Sequence, residues 1–335
     1  MNHPIKHLFT VLRAAFGAGL LYYVLKTSGG WGAVKPMIST AWLLPCLALL
    51  TIFGAAFESK RLSFLFRAQD MLLSFARGYR VVAIGALFNF CIPGGTGGDV
   101  MKLYYLAADK RGRRVEIATV LFVDRAVALF CMLCLVVTLA LLDGKLVWEY
   151  PLIGSLVGAA GLIAAGLLVG GVVACSTTLR ASRWYAYLMD RLPLRRYLVR
   201  AADALYVFRQ NKTALAKAAA LSVAGHLTLL GVFVAAGRAL MPNAPAIAVC
   251  LLALLGLLAN TLPITPGGLG VGEAAFEGLF RSIGYSGGAR LILAWRAGAL
   301  ALCCVGCALY VAGARRIDQY ADQSGAPSAA APSSW

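Results

Sequence analysis

Long apolar runs dominate this sequence. They approach or exceed the roughly 20 residues that a helix needs to cross a bilayer, and they cover 8–26, 39–57, 117–142, 152–174, 218–240 and 289–312. Of the 335 residues, 60% are hydrophobic and 13% are charged, whereas an ordinary soluble domain has about a quarter of its residues charged. The sequence therefore predicts an all-α, polytopic integral membrane protein.

The net charge of +17 is distributed as membrane topology requires, and no nucleic-acid partner is expected. Segments 58–80, 109–116 and 175–217 hold five, four and nine Lys or Arg residues. Because cytoplasmic loops are enriched in Lys and Arg, these segments and both termini are predicted to be cytoplasmic. Within the third segment, 194–208 has apolar residues at helical spacing and a cationic face, which fits either a surface helix or an ordinary loop.

Two further apolar regions, 81–108 and 246–283, are broken in the middle by Pro and Gly. Both neighbours of 81–108 are predicted to be cytoplasmic, and each of its arms has about 12 residues, too few to cross. We therefore predict a re-entrant hairpin from the cytoplasmic side, and by the same count an external hairpin at 246–283. Residues 1–142 and 152–312 then form two halves of inverted topology, each with three spanning helices and one hairpin. Residues 313–335 are predicted to be a disordered cytoplasmic tail.

The two broken regions share a pattern. The first contains NFCIPGGTGGD at 89–99, and the second contains NTLPITPGGLGVGE at 260–273. Pro and Gly interruptions at corresponding positions of two halves indicate a transporter's binding site. Helices that begin after the glycines would offer free N–H groups to an anion such as phosphate. The predicted backbone of the site is Pro93, Gly94, Gly95, Gly97 and Gly98 in the first hairpin, and Pro266, Gly267, Gly268, Gly270 and Gly272 in the second.

Charged residues inside the apolar runs are the candidate ligands. Arg125 and Arg296 each lie in the helix that follows a hairpin. A central arginine costs at least about 2.5–3.5 kcal/mol, so each needs a partner, and the adjacent Asp124 cannot face Arg125 on a helix. The partner is Asp99, Glu273 or a lipid phosphate, and a fixed ion pair between helices is the structural alternative. The predicted substrate-binding residues are Arg125, Arg296, Asp99, Glu273, Lys102, Asn89 and Asn260.

Other polar residues receive local interpretations. Glu58 is interpreted as an interfacial partner of Lys60 and Arg61, and His226 as a hydrogen-bonded packing residue. Glu277 lies four residues after Glu273, so it too is expected to line a cavity. All nine cysteines lie in or beside apolar segments without a histidine nearby, so neither a metal nor a cofactor is predicted.

These segments resemble the transmembrane flippase-like domain of lysylphosphatidylglycerol synthases, a family with stand-alone bacterial and archaeal members that lack the synthase domain. The resemblance lies in NFCIPGGTGGDVMKLYYL at 89–106, VDRAV at 123–127, LPITPGGLGVGEAAF at 262–276 and AWRAG at 294–298. It implies an inner-membrane protein that moves or binds lipids, with Asp99, Arg125, Glu273 and Arg296 at functional positions. Lys102 stands where the family pattern has arginine, which argues against bidentate phosphate binding there.

The sequence thus predicts a lipid flippase or transporter that binds a headgroup in a midplane cavity between the hairpins. It is not expected to be an enzyme. Two alternatives stay open: a membrane-embedded lipid-modifying enzyme such as a polyprenyl-phosphate glycosyltransferase, and an accessory subunit of a lipid or glycan pathway. The expected partners are membrane lipids, namely a phospholipid, an aminoacylated lipid, a hopanoid or a polyprenyl-linked lipid. GxxxG-like spacings such as Gly154–Gly158 also permit a homodimer.

Overall fold

The computed structural model describes residues 39–91, 97–108, 112–174, 176, 195–261, 268 and 270–323. These residues form helices and no strand. The helices are α1 (Leu43–Ala68), α2 (Phe75–Cys91), α3 (Gly97–Ala107), α4 (Arg114–Leu142), α5 (Gly144–Glu149), α6 (Pro151–Ala174), α7 (Arg195–Gln210), α8 (Lys212–Leu240), α9 (Ala246–Asn260), α10 (Val271–Ser282) and α11 (Gly288–Gln323).

Helices of membrane-spanning length confirm the polytopic prediction. Within the described ranges, five helical segments are long and apolar enough to cross a bilayer. They are Leu43–Ala68, Arg114–Leu142, Pro151–Val172, Lys212–Leu240 and Gly288–Ala312. The predicted first span, 8–26, lies outside the described residues. The protein is therefore a multi-pass helical membrane protein.

The two broken regions pack at opposite ends of α1. Near its C-terminal end, α1 shares a hydrophobic cluster with α2 and α3 that includes Leu65, Ala83 and Leu106. Near its N-terminal end, α1 shares a second cluster with α9 and α10 that includes Leu47 and Phe276. Each pair of short helices is therefore anchored by its own core at one end of the same long helix.

Three element boundaries differ from the sequence predictions. Helix α1 continues to Ala68 rather than ending near residue 57, so much of the basic stretch after it is helical. Helix α2 begins at Phe75 and has 17 residues, which is longer than the predicted arm. Helix α11 continues to Gln323, so 313–323 is helical rather than a disordered tail. The added segments are rich in good helix formers such as Ala, Arg and Gln, which outweighs their polarity.

Part of the basic segment after the third described span forms a helix, α7, that packs on the protein. Phe208 of helix α7 is buried in the same cluster as the C-terminal end of α1, and the backbone oxygen of the buried Ala204 accepts a hydrogen bond from Gln69 Nε2. Of the two structures considered for 194–208, the helix is the one observed, over Arg195–Gln210.

Helices α2 and α11 cross at Gly306 without room for a side chain. A Cβ at this position would overlap the carbonyl oxygen of Ala83 in α2. We expect Gly306→Ala to lower the free energy of unfolding by about 1–3 kcal/mol, because the helices must move apart. Thermal unfolding in detergent measures the effect. Gly158→Ala is the matched control, because nothing lies within 4 Å of its added Cβ; equal melting of the two variants would contradict the tight crossing.

Candidate functional site

The first hairpin holds Arg125 through a carboxylate at the start of α3. Asp99 lies in the first turn of that helix, where a negative charge is favoured by the helix dipole. Arg125 donates from Nε to Asp99 Oδ2 at 2.8 Å and from Nη2 to Asp99 Oδ1 at 2.9 Å. At the same turn, the backbone N–H of Gly98 donates to Asn89 Oδ1 at 2.8 Å. A Cβ on Gly98 would collide with Asn89, so the two arms approach closely only because this residue is glycine.

Lys102 extends this ion pair toward α1. It is 3% exposed. Its Nζ pairs with Glu58 Oε1 and lies 3.7 Å from Asp99 Oδ1. Arg125, Asp99, Lys102 and Glu58 therefore form a chain of alternating charges across α4, α3 and α1. Glu58 was expected to pair with Lys60 and Arg61, and that expectation is wrong because its side chain faces α3.

A second buried ion pair lies beside this chain and joins α1, α4 and α8. Arg61 donates from Nε and Nη2 to the two carboxylate oxygens of Asp124 at 2.6 and 2.8 Å. Its Nη1 donates to Ser222 Oγ at 3.0 Å. All three residues are buried. Asp124 therefore turns toward α1 while its neighbour Arg125 turns toward α3, as helical geometry requires.

The second hairpin uses glycines with left-handed backbone to begin α10. Gly268 and Gly270 have φ values of 68° and 83°, which L-residues with a Cβ adopt reluctantly. Glu273 lies in the first turn of α10, and its Oε2 accepts a hydrogen bond from the Gly270 N–H at 2.7 Å. The carboxylate therefore caps the helix, at a position that corresponds to Asp99 in α3.

Arg296 in α11 binds the second hairpin and is 2% exposed. Its Nη2 donates to Gly268 O at 3.0 Å, Asn260 Oδ1 at 3.2 Å and Glu273 Oε2 at 3.3 Å. Its Nη1 lies 3.2 Å from Glu273 Oε1. Within the described residues, Nε and Nη1 have no hydrogen-bond partner. Among the residues that the structure describes, this guanidinium thus retains donors without a hydrogen-bond acceptor, although Nη1 is in an ion pair with Glu273.

A cavity of about 500 Å³ lies between the two hairpins. Asn89 and Arg125 line it from the first hairpin's side, and Asn260 and Gly268 line it from the second. Its volume is in the range of small-molecule sites. Apolar side chains of α1 and α8 complete much of the wall. The other charged or titratable lining residues are Glu58, Arg61 and His226.

The predicted residues thus form two clusters around one cavity. Asn89, Asp99, Lys102 and Arg125 meet at the first hairpin, and Asn260, Glu273 and Arg296 meet at the second. Of the predicted hairpin positions, Pro93, Gly94, Gly95, Pro266 and Gly267 lie outside the described residues.

Two weaker expectations have different outcomes. His226 Nδ1 donates to the backbone oxygen of Ser222 at 2.6 Å, as expected for a packing residue, although the ring also lines the cavity. Glu277 is not among the cavity-lining residues. It pairs with Arg281 and accepts the Ala289 N–H at 3.1 Å, which caps the start of α11.

Sequence reasoning missed the contribution of α1 to the site. Glu58 and Arg61 both line the cavity, and their spacing of three residues puts them on one helical face. That spacing was the available signal, but the basic composition of FESKR assigned the segment to a loop. The pairing of Asp124 with Arg61 had no signal in the sequence, because it depends on how α1 packs against α4.

The comparison with protein families gives one match, the family described as lysylphosphatidylglycerol synthase TM region, over residues 10–312. No curated protein and no solved structure matches the chain. The matched region includes both broken segments, both acid–arginine pairs and all the membrane-spanning helices described above. This chain therefore belongs to the lysylphosphatidylglycerol synthase TM region family.

Proposed function

We propose that this protein is a lipid transporter of the bacterial inner membrane that binds a phosphate-bearing headgroup in the cavity between the two hairpins. The observation that carries the proposal is the position of Arg125 on the wall of a 500 Å³ cavity. The acyl chains would stay in the bilayer while the headgroup moves through the cavity. The protein's role is transport rather than catalysis.

Arg125 has both the exposure and the free donor that a phosphate ligand requires. Its side chain is 50% exposed, although it lies well inside a spanning helix. Asp99 occupies Nε and Nη2, and within the part of the chain that the structure describes Nη1 stays available to the cavity. A guanidinium held on one edge by a carboxylate keeps a fixed orientation and can bind phosphate with its free donor. Lys102 takes a supporting part in this arrangement, because its amine is engaged by Glu58 and Asp99.

Arg296 would be the corresponding ligand of the second half. It is buried behind Asn260 and Gly268, which line the cavity, and its Nε and Nη1 have no hydrogen-bond partner among the described residues. A movement of the second hairpin would bring these donors into the cavity. We therefore propose that Arg125 is exposed to the headgroup while Arg296 is covered. During transport Arg296 becomes exposed and Arg125 becomes covered.

This exchange fits the proposed inverted halves. The hairpins pack at opposite ends of α1, as expected if the first enters the membrane from the cytoplasm and the second from outside. Irregular backbone at membrane depth is tolerated where protein or a water-filled cavity surrounds it. The positive-inside rule, applied to the basic segments, supports cytoplasmic positions for both termini.

Lipid transport by reconstituted protein tests the proposal. Proteoliposomes would contain a fluorescent phosphatidylglycerol in both leaflets. A quencher added outside reacts only with lipid in the outer leaflet, so the slow phase of quenching measures the rate at which lipid moves from the inner to the outer leaflet. Arg125→Gln is expected to reduce the protein-dependent rate at least tenfold, because about 1.4 kcal/mol of headgroup binding corresponds to a factor of ten. Arg125→Lys is expected to retain part of the rate, since it keeps the charge but loses the bidentate contact with Asp99.

Arg281→Gln is the matched control. Arg281 is an arginine outside the cavity, 71% exposed and paired with Glu277 on the surface of α10, so its loss should leave the rate unchanged. Full transport by a folded Arg125→Gln variant would reject the site assignment. Absence of lipid movement by the wild-type protein, with correct folding, would reject the transport function itself.

A further inference from the structure

Two lysines converge on one aromatic ring on the outside of the helix bundle. Lys60 of α1 has its Nζ 5.6 Å from the ring centroid of Phe64. Lys217 of α8 has its Nζ 5.3 Å from the same centroid. Both lysines are exposed and Phe64 is half-buried. Both ammonium groups are thus within the range of a cation–π contact with one side chain.

The charge environment of these two lysines determines what they can bind. Neither lysine forms an ion pair with a carboxylate in the part of the chain that the structure describes. The nearest acid in α1, Glu58, pairs with Lys102 on a different face of the helix. Two unpaired ammonium groups that share one ring repel each other, so an anion between them would be stabilised.

Both lysines lie near helix ends that belong to basic segments of the chain. Lys60 lies eight residues before the end of α1, and Lys217 lies five residues after the start of α8, which correspond to about 12 and 8 Å along the helix axes. Lysine side chains at such positions extend toward the membrane surface. Lys60 belongs to the basic segment 58–80, and Lys217 belongs to the basic segment 175–217. Clusters of Lys and Arg at a membrane surface attract anionic lipids.

An apolar surface continues from the lysines toward the membrane interior. Leu49, Phe53, Phe57, Lys60 and Phe64 follow one another at spacings of three or four residues, so they form a single stripe along α1, the outer stripe. Leu49 and Phe53 are 67% and 58% exposed. The rings of Phe53 and Phe57 are in edge contact, with centroids 5.1 Å apart. The stripe excludes Glu58 and Arg61, which face the cavity.

We propose that Lys60 and Lys217 bind the phosphate of an anionic phospholipid, and that one acyl chain of this lipid lies along the outer stripe. The occupant is a phosphatidylglycerol-like lipid of the leaflet that adjoins the basic segments. The site is separate from the cavity between the hairpins and does not depend on the transport function. It holds a resident lipid against α1 and α8, the two helices whose inner faces line the cavity.

Native mass spectrometry of the full chain in mild detergent tests this site. The protein would be offered phosphatidylglycerol and phosphatidylcholine with identical acyl chains at equal concentration. Wild-type protein is expected to retain phosphatidylglycerol preferentially. The double variant Lys60→Gln, Lys217→Gln is expected to bind it roughly tenfold less well and to lose the preference, because each lysine near an anionic headgroup contributes substantially to binding. Lys60→Arg with Lys217→Arg should retain it.

Two controls locate the bound lipid. Lys145→Gln removes an exposed lysine of α5 and should leave the preference unchanged. In the Arg125→Gln background, which removes the proposed cavity ligand, the preference should persist, and it should be lost when Lys60→Gln and Lys217→Gln are added. If Arg125→Gln abolishes the preference and the double lysine variant keeps it, the lipid occupies the cavity and the outer site is rejected. Displacement of the lipid by millimolar inorganic phosphate would also overturn the proposal, because a free anion would then be the ligand.

Discussion

Replacing Asp124 with asparagine is expected to lower the free energy of unfolding by about 3–5 kcal/mol, the usual cost of removing one partner from a buried ion pair. Asp124 is 2% exposed and Arg61 is 7% exposed. The variant leaves the Arg61 guanidinium in the bundle without a full negative charge, held by Ser222 and a neutral amide. Unfolding of the purified protein in detergent, by heat or by a denaturing detergent, measures the change.

Removal of both charges should restore most of this stability. In the double variant Arg61→Met, Asp124→Leu, no isolated charge remains buried, and apolar replacement of a buried ion pair is often neutral. Glu149→Gln is the control for the loss of a carboxylate at an exposed position, where a change of less than about 0.5 kcal/mol is expected. If Asp124→Asn unfolds at the same temperature or denaturant concentration as the wild-type protein, the ion pair contributes nothing to stability. Apolar contacts alone would then hold α1, α4 and α8 together.

The architecture of this protein could be predicted largely from composition and spacing. Apolar runs of membrane-spanning length identify the long helices, because a bilayer fixes their minimum length. The Pro and Gly interruptions identified the short helices, because proline and glycine disfavour a continuous helix. The pairing of Arg125 with Asp99 was one of three partners considered, and it followed from the need to neutralise an arginine at membrane depth.

The ends of the long helices could not be predicted in the same way. Charge counting treats the whole of 58–80 as a loop, yet α1 continues to Ala68 and buries Arg61. A charge within a helix is stable when a neighbouring helix supplies its partner, and that partner is Asp124 of α4, 63 residues later. No local pattern reports such a contact, so the acidic and basic residues of α1 were assigned to the membrane surface instead of to the cavity.

The second prediction with a large expected effect concerns Glu273. This carboxylate caps α10 through the Gly270 N–H at 2.7 Å and neutralises the buried Arg296. Glu273→Gln is expected to lower the free energy of unfolding by at least about 3 kcal/mol, because Arg296 then remains buried without a counter-charge. Glu277→Gln, four residues along α10, is the comparison, since Glu277 binds the exposed Arg281 and its loss should cost about 1 kcal/mol or less. Detergent unfolding of both variants measures the difference.

Combining Glu273→Gln with Arg296→Met separates a structural ion pair from a ligand site. The double variant has no uncompensated charge, so its stability should recover by at least about 2 kcal/mol relative to Glu273→Gln. Lipid transport should nevertheless stay at least tenfold below the wild-type rate, because the variant lacks the Nε and Nη1 donors of Arg296, which have no hydrogen-bond partner within the described ranges. Recovery of stability and transport together would mean that the pair only joins α10 to α11, and the headgroup would then depend on Arg125 alone.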